Sequence, residues 1–188
     1  MKGLVVAACA ALLPLVAAER SWGQCSWGSF DAARVNDAGG VLTTGAYGTL
    51  RSLIANEGGT LAPATPTLTP SYLAGVDVFF TSLLNNSTGA LSPAEQAALV
   101  AWVEGGGTLV VTGDISPLAA YDSFTAPFGV TGYTAISTVA TGAPIPPVHP
   151  ITASVGTYRY VGNCTFSFGS DAQRLGDDSA GHPFLVVL

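Results

Sequence analysis

The stretch that decides the fold is residues 76–114, which read VDVFFTSLLNNSTGALSPAEQAALVAWVEGGGTLVVTGD. Its two short apolar runs, VFF near the start and LVV near the end, are typical of strands that are buried on both faces. Between them, Ser92, Pro93 and Glu95 form the signature of a helix N-terminus, with a capping serine, a proline at the first helical position and a capping-box glutamate. Three glycines, residues 105–107, permit the left-handed turn that ends the helix. The stretch therefore predicts strand, helix and strand, joined by a right-handed parallel crossover.

Weaker patterns on either side indicate further helices and strands. The apolar periodicity of residues 45–56 predicts a helix, and the repeated prolines after Thr60 predict an edge strand or loop. Later patterns predict a helix over residues 116–124, a strand over 133–139, a strand pair or bent strand over 158–168, and a strand–turn–strand hairpin over 175–188. We therefore expect one α/β domain with a mostly parallel sheet and a C-terminal β-hairpin.

The first 24 residues predict a secretory signal peptide. Lys2 precedes an apolar run over residues 4–18, and small residues end that run. The run is too short for a confident membrane span, so no transmembrane anchor is expected. We therefore predict a signal peptide over residues 1–24, a single domain over residues 25–188, and a secreted, periplasmic or cell-envelope location. The chain stops inside an apolar run, residues 184–188, which indicates a sequence cut short at its C-terminus.

Composition limits the partners. The formal net charge is −6 and only 10% of the residues are charged, so no basic patch is available to bind nucleic acid or an anionic membrane. Removal of residues 1–24 would leave Cys25 and Cys164 in the mature chain. Because exported proteins fold in an oxidising compartment, we predict a disulfide between them, the alternative being that they stay reduced.

Three segments resemble the class I glutamine amidotransferase-like superfamily: LAGVDVFF from Leu73, LSPAEQAALVAWVEGGGTLVV from Leu91, and HPIT from His149. The closer similarity is to branches without amidotransferase activity, such as the trehalose-utilisation-type proteins. The resemblance covers roughly residues 30–188 and implies a flavodoxin-like three-layer sandwich, with helices on both faces of a mostly parallel sheet.

The resemblance also bears on chemistry. In the catalytic amidotransferases of this superfamily, a cysteine on a tight turn after a strand acts as the nucleophile, with a histidine and a glutamate as partners. The matching turn here, residues 112–116, reads TGDIS and contains no cysteine. The resemblance therefore implies a domain that lacks glutamine hydrolysis.

Candidate site residues follow the predicted strands, because ligands of open α/β sheets bind beyond the carboxyl ends of the strands. Asp31, Ser82 and Asp114 are the predicted ligand-binding residues. Asp114 could also act as a catalytic base with His149 or Ser116. Its alternative role is to cap the next helix, and the alternative for His149 is to pack in its proline-rich loop. The spacing of histidines and aspartates indicates no metal site, and no cofactor motif is found.

Two functions from different classes follow. The first is an exported, non-catalytic module that binds a small ligand, such as a carbohydrate, or an envelope protein. The alternative is a hydrolase-type enzyme that uses Asp114 with His149 or Ser116. A structural module of the cell envelope is the third and plainest interpretation.

Overall fold

A computed structural model describes residues 4–8, 25–36, 40–114, 116, 118–136, 140–153, 155–160 and 163–188. The strands, in chain order, are β1 (Leu4–Ala8), β2 (Ser26–Ser29), β3 (Thr60–Leu61), β4 (Val78–Ser82), β5 (Thr108–Gly113), β6 (Val130–Ile136), β7 (Ala140–Pro144), β8 (Tyr158–Tyr160), β9 (Asn163–Phe168), β10 (Gln173–Asp178) and β11 (Pro183–Val187). The helices are α1 (Gly48–Asn56), α2 (Pro70–Leu73), α3 (Pro93–Glu104) and α4 (Leu118–Thr125).

The main sheet has nine strands in the order β3-β2-β4-β5-β1-β11-β10-β7-β8. The strands from β3 to β1 are mutually parallel, and the strands from β11 onward alternate in direction. The carboxyl ends of β2, β4 and β5 therefore meet at one edge, which we call the carboxyl edge. The predicted parallel crossover is confirmed, because β4 and β5 are parallel neighbours joined through α3. Its right-handedness stays a prediction.

Helices cover both faces of this sheet. On one face Leu50 and Ile54 of α1 pack with Phe80 of β4, and on the other Leu99 of α3 packs with Phe79. Alternate residues of each buried strand thus enter different cores, as the period-two geometry of a strand requires. The result is a flavodoxin-like three-layer sandwich, which confirms the predicted fold class.

Helix α3 begins as its sequence predicts. The Ser92 hydroxyl accepts a hydrogen bond from the Glu95 N–H (3.4 Å), and a Glu95 carboxylate oxygen accepts one from the Ser92 N–H (2.9 Å). The left-handed turn after the helix lies at Gly106, where φ is +104°. Gly107 then approaches Trp102 so closely that a Cβ there would lie 2.2 Å from the indole ring.

A second, two-stranded sheet packs against the main core. Strands β6 and β9 are antiparallel, and their buried side chains include Tyr133, Cys164 and Phe166. Residues 158–160 and 163–168 form strands, but the prediction that they form one strand pair or one bent strand was wrong, since they lie in different sheets. Strand β8 pairs with β7, and β9 pairs with β6 in the other sheet. Gly162 and Asn163 predict a turn between these strands, and that turn falls partly outside the described residues.

The N-terminal segment contributes a strand. Leu4–Ala8 lies between β5 and β11, parallel to the first and antiparallel to the second. The other residues of the predicted signal peptide lie outside the described part of the chain, and removal of residues 1–24 stays a prediction. Within the residues that the structure describes, no helix is long and apolar enough to cross a membrane.

Candidate functional site

A row of hydroxyl groups lies at the carboxyl edge, on the face covered by α1. Ser29 ends β2, Ser82 ends β4, and Thr112 is next to last in β5. Ser29 is in register with Phe80, and Ser82 with Thr112, so the three side chains project from the same face of adjacent strands. All three residues are buried, with relative exposures of 2%, 5% and 8%. We call these three side chains the hydroxyl row.

Two members of the hydroxyl row have unused hydrogen-bonding capacity. Neither Ser29 Oγ nor Thr112 Oγ1 has a hydrogen-bond partner within the described residues. Buried polar atoms are nearly always paired, since an unpaired one costs roughly 1–3 kcal/mol. Thr81 carries a comparable hydroxyl, but alternation places it on the opposite face of β4. Two buried, unpaired hydroxyls therefore lie on one face of the sheet, just beneath the carboxyl edge.

The loop after β4 has unusual backbone geometry next to this row. Leu83 adopts φ = +49°, a left-handed conformation that is uncommon for a residue with a branched side chain. Its carbonyl accepts a hydrogen bond from the Asn36 N–H, and the Asn85 N–H donates to the Arg34 carbonyl (2.9 Å). These bonds tie the loop after β2 to the loop after β4. Backbone strain of this kind clusters at functional sites, where the surrounding structure enforces it.

The three predicted ligand-binding residues lie at or just after the carboxyl ends of β2, β4 and β5. Asp31 follows β2, Ser82 ends β4, and Asp114 follows β5. Asp31 also stabilises its own loop, because its carboxylate accepts a hydrogen bond from the Ala33 N–H (2.9 Å). Asp114 is half-buried near α4. Burial raises the pKa of Tyr121 far above its ordinary value, and the negative charge of Asp114 contributes to that rise.

The residues of the alternative enzyme are not brought together. Ser116 shares the edge with Asp114, but it is exposed and its hydroxyl donates to Asn86 Oδ1 (3.0 Å). His149 lies in the connection between β7 and β8. Strand β7 runs antiparallel to β5, so the carboxyl end of β7, where this connection begins, lies at the opposite edge of the sheet, which we call the amino edge. Three strands also separate β7 from β5.

A histidine–carboxylate pair that the sequence did not predict lies at the carboxyl edge. His182 Nδ1 is 2.8 Å from Asp178 Oδ2, and Asp178 Oδ1 accepts hydrogen bonds from the N–H groups of Ala180 and His182. Burial opposes ionisation of Asp178, but these hydrogen bonds outweigh it and hold the pKa of the carboxyl below its usual value. The pair closes the hairpin between β10 and β11. The Asp-Asp-Ser-x-Gly turn predicted the hairpin but not the ring contact, because a side-chain orientation has no sequence signature.

A buried ion pair anchors the loops of this edge. Arg34 Nη1 lies 2.7 Å from Glu95 Oε1, and the guanidinium also donates to the carbonyls of Pro66 and Ala90 (3.0 Å each). Glu95 Oε1 accepts a further bond from the Leu68 N–H (3.1 Å). These contacts join the segments that follow β2, β3 and β4, so the positions of the loops beside the hydroxyl row are fixed.

The predicted disulfide between Cys25 and Cys164 is absent. Cys25 immediately precedes β2, at the amino edge of the sheet. Cys164 lies at the carboxyl end of β5, where a Cβ on Gly113 would be 2.4 Å from its sulfur. A disulfide needs its two Cα atoms within about 7 Å. Cys25 lies near the amino ends of the strands and Cys164 near the carboxyl end of β5, and the six residues of β5 place these two ends about 20 Å apart.

Within the described residues, few side chains at this edge could bind a metal ion or act as a thiol nucleophile. In the described ranges, no group of three or more His, Cys, Asp or Glu side chains is arranged to hold a metal ion. The sulfur of Cys164 does lie beside the end of β5, where the resembling amidotransferases carry their nucleophile. Its relative exposure is 0%, so the thiol is buried, as the hydroxyls of the row are.

Solved structures share the fold at low sequence identity. The N-terminal domain of mmIFT52 matches with a TM-score of 0.57 and 16% identity, covering 87% of this chain and 78% of that chain. A cytoplasmic protein of Salmonella typhimurium LT2 matches with a TM-score of 0.58 and 16% identity, covering 73% and 68%. A ThuA-like protein from Bacteroides uniformis matches with a TM-score of 0.53 and 15% identity, covering 88% and 71%.

No protein-family model and no curated protein sequence matches the chain. At identities near 15%, the structural neighbours establish similarity of fold alone. The architecture of this chain is consistent with a ThuA-like fold, and the hydroxyl row at its carboxyl edge is the best-defined candidate for a functional site.

Proposed function

We propose that this domain is an exported, non-catalytic module that binds a small carbohydrate at the carboxyl edge of its sheet. We further propose that it belongs to the amidotransferase-like superfamily, in a branch without the catalytic cysteine. The motifs quoted above and a ThuA-like structural neighbour support that membership.

The observation that carries the proposal is the hydroxyl row. Ser29 Oγ and Thr112 Oγ1 can each donate one hydrogen bond and accept others, and neither is used by the described protein. Sugar hydroxyls have the same dual capacity, so a sugar that reaches the two groups can exchange hydrogen bonds with them without any formal charge. Asp31 and Asp114, which follow the outer two strands of the row, can accept further hydrogen bonds from sugar hydroxyls.

A binding role agrees better with this geometry than the hydrolase alternative does. The alternative needs a base beside Asp114 or Ser116, and His149 leaves from the opposite edge. The hydroxyl row by itself offers positioned hydrogen-bonding groups and no nucleophile with an adjacent base. Such a set of groups suits a binding site better than a catalytic one.

A thermal-shift screen of the full chain tests this function. The panel contains neutral mono- and disaccharides, amino acids and divalent metal ions, each tested on the wild type and on Ser82→Ala. We expect one or more sugars to raise the unfolding temperature of the wild type in a concentration-dependent way, because a ligand that binds only the native state stabilises it. The shift should shrink in Ser82→Ala. A panel in which no sugar raises the unfolding temperature would contradict carbohydrate binding.

A further inference from the structure

Helix α1 begins at the carboxyl edge, on the same face of the sheet as the hydroxyl row. The chain leaves β2 at that edge, and α1 then runs back toward the start of β3, which is parallel to β2. The ring of Tyr47, the residue before α1, lies 4.9 Å from the ring of Phe80, measured between the ring centroids. Phe80 is in register with Ser29 of the row. The first turn of α1 therefore lies beside the row, in the layer that covers it.

The N-terminal end of α1 has uncapped hydrogen-bond donors. The first N–H groups of a helix have no acceptor inside the helix, and no side chain caps those of α1. The first turn contains no acidic residue, so no carboxylate in it offsets the partial positive charge of the helix end. The turn is also accessible, since Gly48 is partly exposed and Thr49 is exposed. Such a helix end is suited to the oxygen atoms of an anion.

A cationic side chain lies at the same helix end. Arg51 Nη1 donates to the carbonyls of Leu42 (2.9 Å) and Gly45 (3.0 Å), in the segment that leads into α1. Arg51 Nη2 would lie 3.6 Å from a Cβ on Gly48, the first residue of the helix. In the described part of the chain, no carboxylate lies within ion-pair distance of Arg51. Its positive charge therefore adds to that of the helix end.

The hydroxyl row is a second, independent sign of a ligand on this face. Ser29 Oγ and Thr112 Oγ1 are buried, have no hydrogen-bond partner within the described residues, and project from the face that α1 covers. Buried hydroxyls without a partner are rare in proteins. The strands thus offer neutral hydrogen-bonding groups, and the helix end above them offers N–H donors and a positive charge. A ligand that contacts both layers needs hydroxyls for the row and an anionic group for the helix.

We propose that the carbohydrate bound at this edge carries a phosphate group, held by the first turn of α1 and by Arg51. This inference rests on the proposed carbohydrate function and names the class of its ligand, a sugar phosphate. The phosphate oxygens accept hydrogen bonds from the N–H groups of the helix end and from the guanidinium, and the sugar hydroxyls exchange hydrogen bonds with the row. The carboxylates of Asp31 and Asp114 repel the phosphate, so it lies on the helix side of the site and the sugar on the strand side.

Isothermal titration of the full chain with glucose 6-phosphate, glucose and inorganic phosphate, at constant ionic strength, tests the proposal. We expect glucose 6-phosphate to bind about tenfold or more tightly than glucose, because hydrogen bonds to a charged group are stronger than those between neutral groups. Inorganic phosphate should bind more weakly than glucose 6-phosphate and compete with it. Equal affinities for glucose and glucose 6-phosphate would overturn the proposal and leave the carbohydrate function standing. Equal affinities for the two phosphates without any binding of glucose would overturn the carbohydrate function, and no binding of any probe would overturn both.

A carboxylate added at either end of α1 localises the phosphate. Thr49→Asp places the new charge in the first turn, where it stabilises the helix but repels an anion. We expect this variant to weaken glucose 6-phosphate binding about tenfold or more, with no fall in the unfolding temperature and no change in the affinity for glucose. Asn56→Asp is the matched control, because it adds the same charge at the last residue of the same helix, about 10 Å farther along the axis. An unchanged affinity for glucose 6-phosphate in Thr49→Asp, or an equal loss in Asn56→Asp, would show that the phosphate is not held by this helix end.

Discussion

Arg34 and Glu95 form a buried ion pair between residues 61 positions apart, with 2.7 Å between Nη1 and Oε1. Each partner also satisfies the neighbouring backbone: Arg34 donates to two loop carbonyls, and Glu95 accepts from Ser92 and Leu68. The guanidinium additionally lies 4.6 Å from the centre of the Phe30 ring. One side-chain pair thus holds together three loops of the carboxyl edge.

Breaking this pair on one side should be strongly destabilising. Arg34→Met leaves the Glu95 carboxylate buried without its cation, so we expect a loss of about 3–5 kcal/mol in the free energy of unfolding. The double variant Arg34→Met with Glu95→Gln should lose less than the sum of the two single variants. Urea unfolding at pH 7 measures all three values. Strict additivity would show that the two groups do not interact.

The same carboxylate should make stability depend on pH. Burial raises the pKa of Glu95, but hydrogen bonds from Ser92, Arg34 and Leu68 outweigh it and hold that pKa below its usual value. A depressed folded-state pKa contributes stability above the unfolded value, near 4.3, and this contribution is lost as the pH falls through the folded value. Unfolding free energies measured from pH 6 down to pH 3 should therefore fall less steeply in Glu95→Gln than in the wild type. Parallel curves would refute the assignment. The pKa of Asp178 is also lowered, so protonation of Asp178 removes stability in the same direction. The same measurement on Asp178→Asn shows how much of the pH dependence comes from Asp178.

Gly113 should not tolerate a side chain while Cys164 is present. A Cβ at Gly113 would lie 2.4 Å from Cys164 Sγ, and both positions are buried. We expect Gly113→Ala to cost about 1–3 kcal/mol through overpacking. Combining it with Cys164→Ala frees the space that the methyl group needs, so the pair should cost less than the sum of the single changes. Denaturant midpoints report the difference, and a Gly113→Ala variant as stable as the wild type would contradict the packing of β9 over β5.

The N-terminal strand links the predicted signal peptide to the stability of the sheet. Leu4–Ala8 pairs with both β5 and β11, so removal of residues 1–24 would expose the backbone groups of two strand edges. We expect a chain that begins at residue 25 to unfold at lower denaturant and to lose hydrogen-exchange protection in β11. A chain that lacks only residues 1–3 is the control.

Equal stability of both chains would show that the domain does not need this strand. The intact mass of the protein isolated from its native host decides separately whether residues 1–24 are cleaved.

Local signals in the sequence predicted local structure well. The capping box at Ser92, the proline at residue 93 and the glycines after α3 correctly placed the crossover, because those signals act within one turn of the chain. The hairpin around residue 180 was also predicted from its turn residues. The helices predicted over residues 45–56 and 116–124 are present as α1 and α4, with shifted starts.

Features that depend on distant contacts were not predicted. Strand β7 lies in a segment interpreted as a proline-rich loop, and its pairing with β10 gives it strand geometry. The Arg34–Glu95 pair joins the loop after β2 to the first turn of α3, and the glutamate was recognised only for its local capping role. Ser29 and Thr112 were not singled out, since only the register of β2, β4 and β5 shows that their hydroxyls share one face.

The measurement that tests the central claim most directly compares Thr112→Val with Thr81→Val by isothermal titration of the most stabilising sugar. Both threonines are buried hydroxyls on neighbouring strands without a described partner, but they lie on opposite faces of the sheet. If the carbohydrate binds at the hydroxyl row, Thr112→Val should weaken binding about tenfold, the equivalent of one hydrogen bond, and Thr81→Val should leave it unchanged. Equal affinities in the two variants would contradict a site at the hydroxyl row.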